Sequence, residues 1–413
     1  MLARETQAPD LEAFLEAVAY FEAFGTRTRC VPFPDARFDV PVYVNEFWTA
    51  RQRAANALHE IAYRACFKPP LPRFFIERLT QPGQVVYDPF AGRGTTLLEA
   101  ALLGRRPLGC DVNPLSRVLV LPRLRPPTIE QVAQRLSALD LDTPVALWEE
   151  LLVFYHPHTL RQIVNLRRYL LEREAAGALD EVDAWVRMVA TNRLTGHSPG
   201  FFSVYTLPPN QAVSLEAQRR INAQRNQTPP PREVKALILR KTRSLLRDLD
   251  DPTRARLRAL SEPTPLFIAS ADHTPFINDA SVTLVVTSPP FLDVVDYQAD
   301  NWLRCWFNGI DARAVPVWQF RSPAAWRSAM EAVFHELRRV LVPGGVIAFE
   351  VGEVRRGTLL LETLVVPAAR AAGLEARAVL VNAQRFTKTA HCWGIANLQR
   401  GTNTNRVVIL TRP

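Results

Sequence analysis

Two short stretches hold residues whose types and order can do chemistry. The first runs Tyr87-Asp88-Pro89-Phe90-Ala91-Gly92-Arg93-Gly94-Thr95-Thr96. An acid ends an apolar run, and two glycines follow, which let a ligand come up against the backbone. Thr95 and Thr96 then open a helix whose first N–H groups have no partners of their own. Twenty-three residues after Asp88, Asp111 ends the next apolar run, where a carboxylate can accept both hydroxyls of a ribose. The glycine spacing is not GxGxxG, which argues against a nicotinamide dinucleotide. The second stretch is Val285-Val286-Thr287-Ser288-Pro289-Pro290-Phe291. Two prolines cannot continue a sheet. They stiffen a loop at the strand's C-terminal end, where open α/β sheets bind ligands. The Ser288 hydroxyl and the Pro289 carbonyl are two acceptors for the hydrogens of an amino group, and Phe291 offers a face on which a flat ring can stack. No Pro-Cys pair occurs in this loop, so no thiolate nucleophile is at hand.

The elements that must position these residues read as follows. Residues 10–24 have the pattern of an amphipathic helix with Asp10 as N-cap, and residues 47–66 that of a second helix. FKPPLPRFFIERL breaks at its prolines and resumes as a short helix near Phe74. Val85–Tyr87, a glycine turn, a helix from Thr95 to Leu103 and a strand at Leu108–Cys110 make a βαβ unit. From about 126 to 262 the chain is mostly helical, with breaks at Ser198-Pro199-Gly200, Pro208-Pro209 and Pro229–Pro231. Strands return at Leu266–Ile268 and Val282–Thr287. A helix over Trp326–Leu341, a Val342-Pro343-Gly344-Gly345 turn, a strand at Val346–Val351, a helix at Leu359–Ala372 and strands near Val379 and Val407 follow. Strands alternating with helices predict a parallel α/β sheet interrupted by a helical insertion.

The first stretch resembles the DPFxGxGTT motif, and the second the (S/D/N)PP(Y/F) motif, of DNA amino-methyltransferases, the N4-cytosine/N6-adenine family. The resemblance covers roughly residues 60–125 and 264–413 and implies an α/β fold: a Rossmann-like class I methyltransferase sheet with an inserted, mainly helical domain. It implies S-adenosyl-L-methionine as cofactor. The cofactor-binding set becomes Lys68, Asp88, Pro89, Phe90, Ala91, Gly92, Gly94, Thr95, Thr96, Asp111, Val112, Asn113, Asp272 and His273. Within it, Asp88 is expected near the methionine amine, Phe90 against the cofactor, Asp111 on the ribose and Asp272 near the adenine amino group. Arg93 stands where the family usually has serine. The catalytic set becomes Ser288, Pro289, Pro290 and Phe291. SPP with an aromatic is more typical of N4-cytosine enzymes, and DPPY of N6-adenine enzymes. The implied substrate is a base flipped out of double-stranded DNA, with a cognate restriction endonuclease as an allowed companion. An RNA amino-methyltransferase and a DNA-binding protein with a vestigial fold are the competing readings. The order cofactor motif, insertion, catalytic motif looks like the α arrangement of the family.

Three parts are expected: residues 1–125 with the N-terminal helices and the cofactor-binding half, 126–262 as the basic helical insertion for target recognition, and 263–413 as the catalytic half. The 413-residue chain carries a net charge of +9, and the stretch from Arg187 to Arg247 alone holds eleven basic residues against Glu216 and Glu233. A concentrated excess of this kind suits a polyanion. Arg219, Arg220, Arg225, Arg240, Lys241 and Arg243 are the candidates for phosphates. Asn210, Gln211, Gln218, Asn222, Gln224, Asn226 and Gln227 are the candidates for base edges. Trp302 and Trp306 are expected in the core, Trp393 is a candidate to flank a base, and Gly401–Arg406 reads as a turn before the last strand. The five scattered cysteines form no CxxC pair, and His156 and His158 lack ligand company, so no metal is expected. With no run of ~18 apolar residues and no apolar signal core, a soluble cytoplasmic protein is expected.

Overall fold

The computed structural model describes residues 8–49, 55–63, 66–207, 212–290, 292, 296–354, 358–383 and 405–413. The chain opens with helix α1 (Leu11–Ala19), whose N-cap Asp10 accepts from Ala13 N at 3.0 Å. Strands β1 (Arg29–Val31) and β2 (Val42–Asn45) follow, then helix α2 (Pro70–Leu79), which carries its prolines in the first turn, where the missing N–H costs nothing. Strand β3 (Val85–Asp88), helix α3 (Thr95–Leu102), strand β4 (Arg106–Asp111) and helix α4 (Leu115–Leu124) form the βαβ unit and its continuation. Six helices come next: α5 (Ile129–Ala138), α6 (Pro157–Ala175), α7 (Glu181–Thr191), α8 (Leu215–Arg225), α9 (Val234–Leu246) and α10 (Asp251–Leu260). The sheet resumes with β5 (Leu266–Ile268) and β6 (Val282–Thr287), then helices α11 (Tyr297–Phe307) and α12 (Pro323–Val340), and β7 (Leu341–Val351). A small hairpin of β8 (Glu353–Val354) and β9 (Leu359–Leu360), helix α13 (Glu362–Ala371), and strands β10 (Glu375–Asn382) and β11 (Asn405–Thr411) complete it.

The main sheet has the order β1-β2-β10-β11-β7-β6-β3-β4-β5. After β1 and β2 at one edge, the chain crosses to the middle at β3, steps outward through β4 to β5, then returns to the other side of β3 with β6 and β7. These five strands are mutually parallel. The reversal of direction between β3 and β6 is a switch point, where the connections leave in opposite directions and open a crevice at the strands' C-terminal ends. The sheet is mixed, not wholly parallel as predicted: β11 runs antiparallel between β7 and β10, and β1 antiparallel to β2. The short N-terminal strands were not foreseen, since β1 is exposed and carries no apolar alternation.

Alternation along the strands divides the core. Val86, Leu284, Val286, Val346 and Ala348 face α1 and α2. Tyr87, Val285, Ile347 and Phe349 face α12 and α13. A third cluster joins Leu97, Leu98, Leu115 and Leu119 of α3 and α4 to Leu160, Trp185, Val189 and Ile238 of the inserted helices, so those helices rest on α3 and α4 through one continuous apolar contact.

The helix predicted over 47–66 is not formed in its described part, where Ala57–His59 makes only a short 3-10 turn. Side chains from elsewhere take the backbone groups a helix would have used. Ala57 N donates to Asp248 Oδ2 at 2.7 Å, Ala62 N to Asn192 Oδ1 at 3.0 Å, and the Ile61 carbonyl accepts from Arg93 Nη1 at 2.9 Å.

Candidate active site

The glycine turn after β3 and the proline turn after β6 meet at the switch point. Gly92 (φ +50°) and Gly94 (φ +71°) both adopt the left-handed region. A Cβ on Gly94 would sit 2.6 Å from Val120 Cγ2, so this position has no room for any side chain. The start of α3 is pinned across the crevice, because Thr96 Oγ1 donates to the Val286 carbonyl at 3.0 Å. Arg93 is buried and structural: it donates to the carbonyls of Ile61 and Phe67 and to Thr95 Oγ1 (3.2 Å), tying the turn to the segment before α2.

Three carboxylates stand at strand ends around this turn. Asp88 is 2 % exposed; its Oδ1 accepts from Thr287 Oγ1 at 2.5 Å and from Phe90 N at 3.1 Å. Burial outweighs these bonds and pushes its carboxyl up to about 7. Asp111 Oδ2 accepts from Gly92 N at 2.7 Å and Oδ1 from Asn113 N at 2.8 Å, while burial raises its pKa. Each oxygen, having made one such bond, can still accept another. Glu350, near the end of β7, is buried beside the Ser288 side chain, accepts from Asn405 Nδ2 (2.9 Å), and is pushed up to about 7 by burial.

Around them lies a cleft of about 690 Å³. Of the residues singled out from sequence, Pro89, Phe90, Gly92, Asp111, Val112, Asn113, Ser288 and Pro290 line it together. Asp88 lies buried beneath the turn, Ala91, Gly94, Thr95 and Thr96 build the turn from behind, and Pro289 is buried in its loop. Lys68, Asp272 and His273 are exposed and outside the lining; at that edge Ala269, Ser270 and Ala271 form the wall. The Pro290 carbonyl accepts from Trp326 Nε1 at 2.8 Å, which anchors the proline turn to α12. Phe291, Asn210, Gln211, Trp393 and residues 401–404 lie outside the described residues.

Several site residues escaped the sequence reading. Tyr63, Cys66, Val317 and Trp318 line the cleft, and the Trp318 and Phe90 rings meet edge to face at 6.0 Å. Glu350 had a readable signal: it is an acid closing the apolar run Val346–Phe349, just as Asp88 and Asp111 close theirs. Trp302 and Trp306 pack against the helical cluster, and Trp302 Nε1 donates to the Val213 carbonyl at 3.2 Å.

The basic candidates divide. Arg219, Arg220, Arg225, Arg240 and Arg243 are exposed. Arg220 faces Glu216 at 3.9 Å, and Arg225 lies over the Tyr205 ring at 3.8 Å. Lys241 is mostly buried, 3.6 Å from Glu60, and burial pushes its ammonium down to about 8. Three expected base readers are spent on the fold itself. Gln218 and Gln227 donate to the Tyr205 carbonyl at 3.1 and 2.9 Å, and Asn222 Nδ2 to the Val153 carbonyl at 2.8 Å. These amides satisfy the backbone of irregular loops around α8, a use that composition cannot separate from base contact. Asn226 takes the left-handed C-cap of α8.

The strand order, the switch-point cleft and the acids at the strand ends define a Rossmann-like α/β fold of the class I methyltransferase type. Residues 37–116 match a family model described as DNA methylase, N6_N4_Mtase. It is 23 % identical over 278 residues to the type II methyltransferase M.BsoBI of Geobacillus stearothermophilus, covering 62 % of this chain and 53 % of that one. It is 28 % identical over 128 residues to the type II methyltransferase M.MvaI of Kocuria varians, covering 30 % and 25 %. The chain thus spans about half the length, or less, of the curated relatives it matches. Among solved structures, the rRNA methyltransferase aviRa of Streptomyces viridochromogenes aligns over 86 % of this chain and 89 % of its own, at 14 % identity and a TM-score of 0.33. A TehB-like SAM-dependent methyltransferase of Corynebacterium glutamicum aligns over 83 % and 87 %, at 9 % identity and a TM-score of 0.29.

The residues present fit the S-adenosylmethionine that the two motifs imply. Gly92 leaves its turn open to close approach, Asp111 keeps acceptor capacity at the end of β4, and Phe90 and Trp318 supply aromatic walls. Among the described residues no group of three or more His, Cys, Asp or Glu is placed to hold a metal ion, and no helix is long and apolar enough to cross a membrane.

Proposed function

We propose that this protein transfers a methyl group to the exocyclic amino group of a base flipped from double-stranded DNA, and that the base is cytosine, methylated at N4. The observation that carries the reading is Ser288 at the lip of the cleft, at the head of the proline turn and with the buried Glu350 next to its side chain. When bound, S-adenosylmethionine supplies a methyl carbon made electrophilic by its sulfonium. Everything else falls to the chain's own residues. Asp88, ionised, offers a buried carboxylate to the ammonium of the methionine end, and Asp111 accepts from the ribose. A Ser288 hydroxyl that donates to ionised Glu350 leaves its oxygen lone pairs to accept an N–H of the target amine. A second acceptor, the Pro289 carbonyl, takes the other hydrogen. Two such bonds favour a pyramidal nitrogen whose lone pair points at the methyl. The proton that the nitrogen sheds on methylation would pass through Ser288 toward Glu350. Positioning and preorganised acceptors supply the catalysis, and no covalent intermediate on the enzyme is needed.

Serine before the two prolines favours cytosine, and the basic helical segment favours DNA. The same reading places the protein in a restriction–modification context, as the type II names of M.BsoBI and M.MvaI suggest for those relatives. The test is to express the chain in a host without DNA methylation, digest the DNA to nucleosides and analyse them by mass spectrometry. N4-methylcytosine is the expected product. N6-methyladenine alone would overturn the base assignment, and methylated RNA with unmodified DNA would overturn the substrate.

A further inference from the structure

The loop after α7 gathers like charges around one point. Arg193 follows α7 directly, and Arg240 projects from α9. A Cβ built on Gly200 would lie 3.3 Å from Arg240 Nη2, 3.5 Å from Ser198 Oγ and 4.0 Å from Arg193 Nη1. Both guanidiniums and a hydroxyl therefore converge on a spot where the chain has no side chain. Arg193 is fixed there: its guanidinium stacks on the Phe201 ring at 4.0 Å and its Nε donates to the Asn192 carbonyl at 2.9 Å. Arg240 Nη2 donates to the Pro199 carbonyl at 3.3 Å. Among the described residues no carboxylate pairs with either arginine. Glu60, the nearby acid, is already shared between Lys241 at 3.6 Å and Arg247 at 2.5 Å. Burial and the charge of Arg240 pull the Arg193 guanidinium down to about 10, which marks the cost of holding these cations together.

Water screens part of the repulsion at the exposed Arg240, and an anion between the two guanidiniums would remove the rest. The cluster's placement relative to the cleft says which anion. Asn192 Oδ1 accepts from Ala62 N at 3.0 Å, and the next residue, Tyr63, lines the cleft. The cluster is thus the outer flank of the segment whose inner side borders the base pocket. We propose that Arg193, Arg240 and Ser198, converging on Gly200, form a discrete subsite for one phosphodiester of duplex DNA, beside the nucleotide delivered to the cleft. The proposal rests on the DNA reading above and adds the point at which the backbone is gripped. Arg193 and Arg240 supply N–H donors, Ser198 Oγ accepts from Gly200 N (3.4 Å) and among the described residues donates to no acceptor, which leaves its hydrogen for a phosphate oxygen, and the missing Gly200 side chain leaves the space.

The experiment is a duplex-DNA binding titration over a range of salt, with the full chain loaded with the cofactor product. Arg240→Gln should weaken binding roughly 10-fold and lower the slope of log K against log salt by about one. Arg256→Gln on α10 removes the same formal charge from an exposed site elsewhere and should leave the slope unchanged. Arg240→Lys should keep most of the slope. Gly200→Asp places an acid where the guanidiniums meet. It should raise the melting temperature of the free protein while weakening DNA binding, an opposition that mere loss of folding cannot produce. Cofactor affinity, measured in parallel, should be the same in all of them. If Arg240→Gln and Arg256→Gln behave alike and Gly200→Asp binds DNA as the parent does, the subsite is wrong and the DNA reading stands. If the parent binds inorganic phosphate but no duplex, both fall.

Discussion

Replacing Asp88 by Asn should stabilise the free protein and do so more strongly as the pH rises. The Asp88 carboxyl is 2 % exposed and its pKa moves from 3.8 to about 7, chiefly through burial. A carboxyl raised on folding favours the native state only while it is protonated. Its contribution is complete below the unfolded value and is lost as the pH rises through the folded one. At about 1.36 kcal/mol per unit, the raised value weakens the native state relative to a neutral side chain by about 2 kcal/mol at pH 5, where only the unfolded chain carries Asp88 ionised, and by about 4 kcal/mol at pH 8, where both states do. Asn retains an acceptor for Thr287 Oγ1 and Phe90 N, so the variant isolates the charge. Urea denaturation of parent and variant without cofactor, at pH 5 and pH 8, measures the difference. The stability gap should widen by about 2 kcal/mol between the two. Parallel stability curves would show that Asp88 is not raised and would refute the argument from burial. The same variant should bind cofactor more weakly at pH 8, since the lost charge is the one offered to an ammonium.

Further outcomes follow from other contacts. Gly94→Ala drives a methyl to 2.6 Å from Val120 Cγ2 and forces a left-handed φ on alanine, so it should cost roughly 1–3 kcal/mol in denaturation experiments; adding Val120→Ala should recover part of this, and no recovery would mean that the φ, not the clash, decides. Ser288→Ala should retain cofactor and DNA affinity but lose between about 10- and 1000-fold in single-turnover methyl transfer, as expected for one transition-state hydrogen bond; an unchanged rate would remove Ser288 from the chemistry. Glu350→Gln should slow the same step on the order of 100-fold at pH 8. The parent's rate should rise with pH through about 7, as Glu350 ionises, while the variant's profile stays flat there; a parallel rise in both would assign the titration to another group.

What was legible in the sequence is what local rules write there. Strand-end acids, glycine turns and the two prolines locate the cleft because each has a backbone reason to be where it is. The insertion reads as mostly helical, broken at its proline and glycine clusters, though its separate helices do not. Legibility ends where long-range partners decide. Residues 57–63 carry helix-compatible types, yet Arg93, Asn192 and Asp248 claim their backbone groups, and these lie 30 or more residues away. Gln218, Asn222 and Gln227 have the composition of base readers but are spent on the carbonyls of Tyr205 and Val153. Trp318 reaches the cleft from the loop before α12, and nothing in its neighbours announces that. Arg193 and Arg240 are 47 residues apart and converge on Gly200 only through the packing of α7 on α9.

The apolar cluster shared by the inserted helices and α3–α4 works as a caliper. Packed interiors yield little under load, so the distance from the Arg193–Arg240 pair to the mouth of the cleft is set by leucines and a tryptophan, not by a hinge. A substrate gripped at both points has to match that span. A change in Leu160, Trp185 or Ile238, far from either point of grip, would then alter which substrates fit by resetting the gauge.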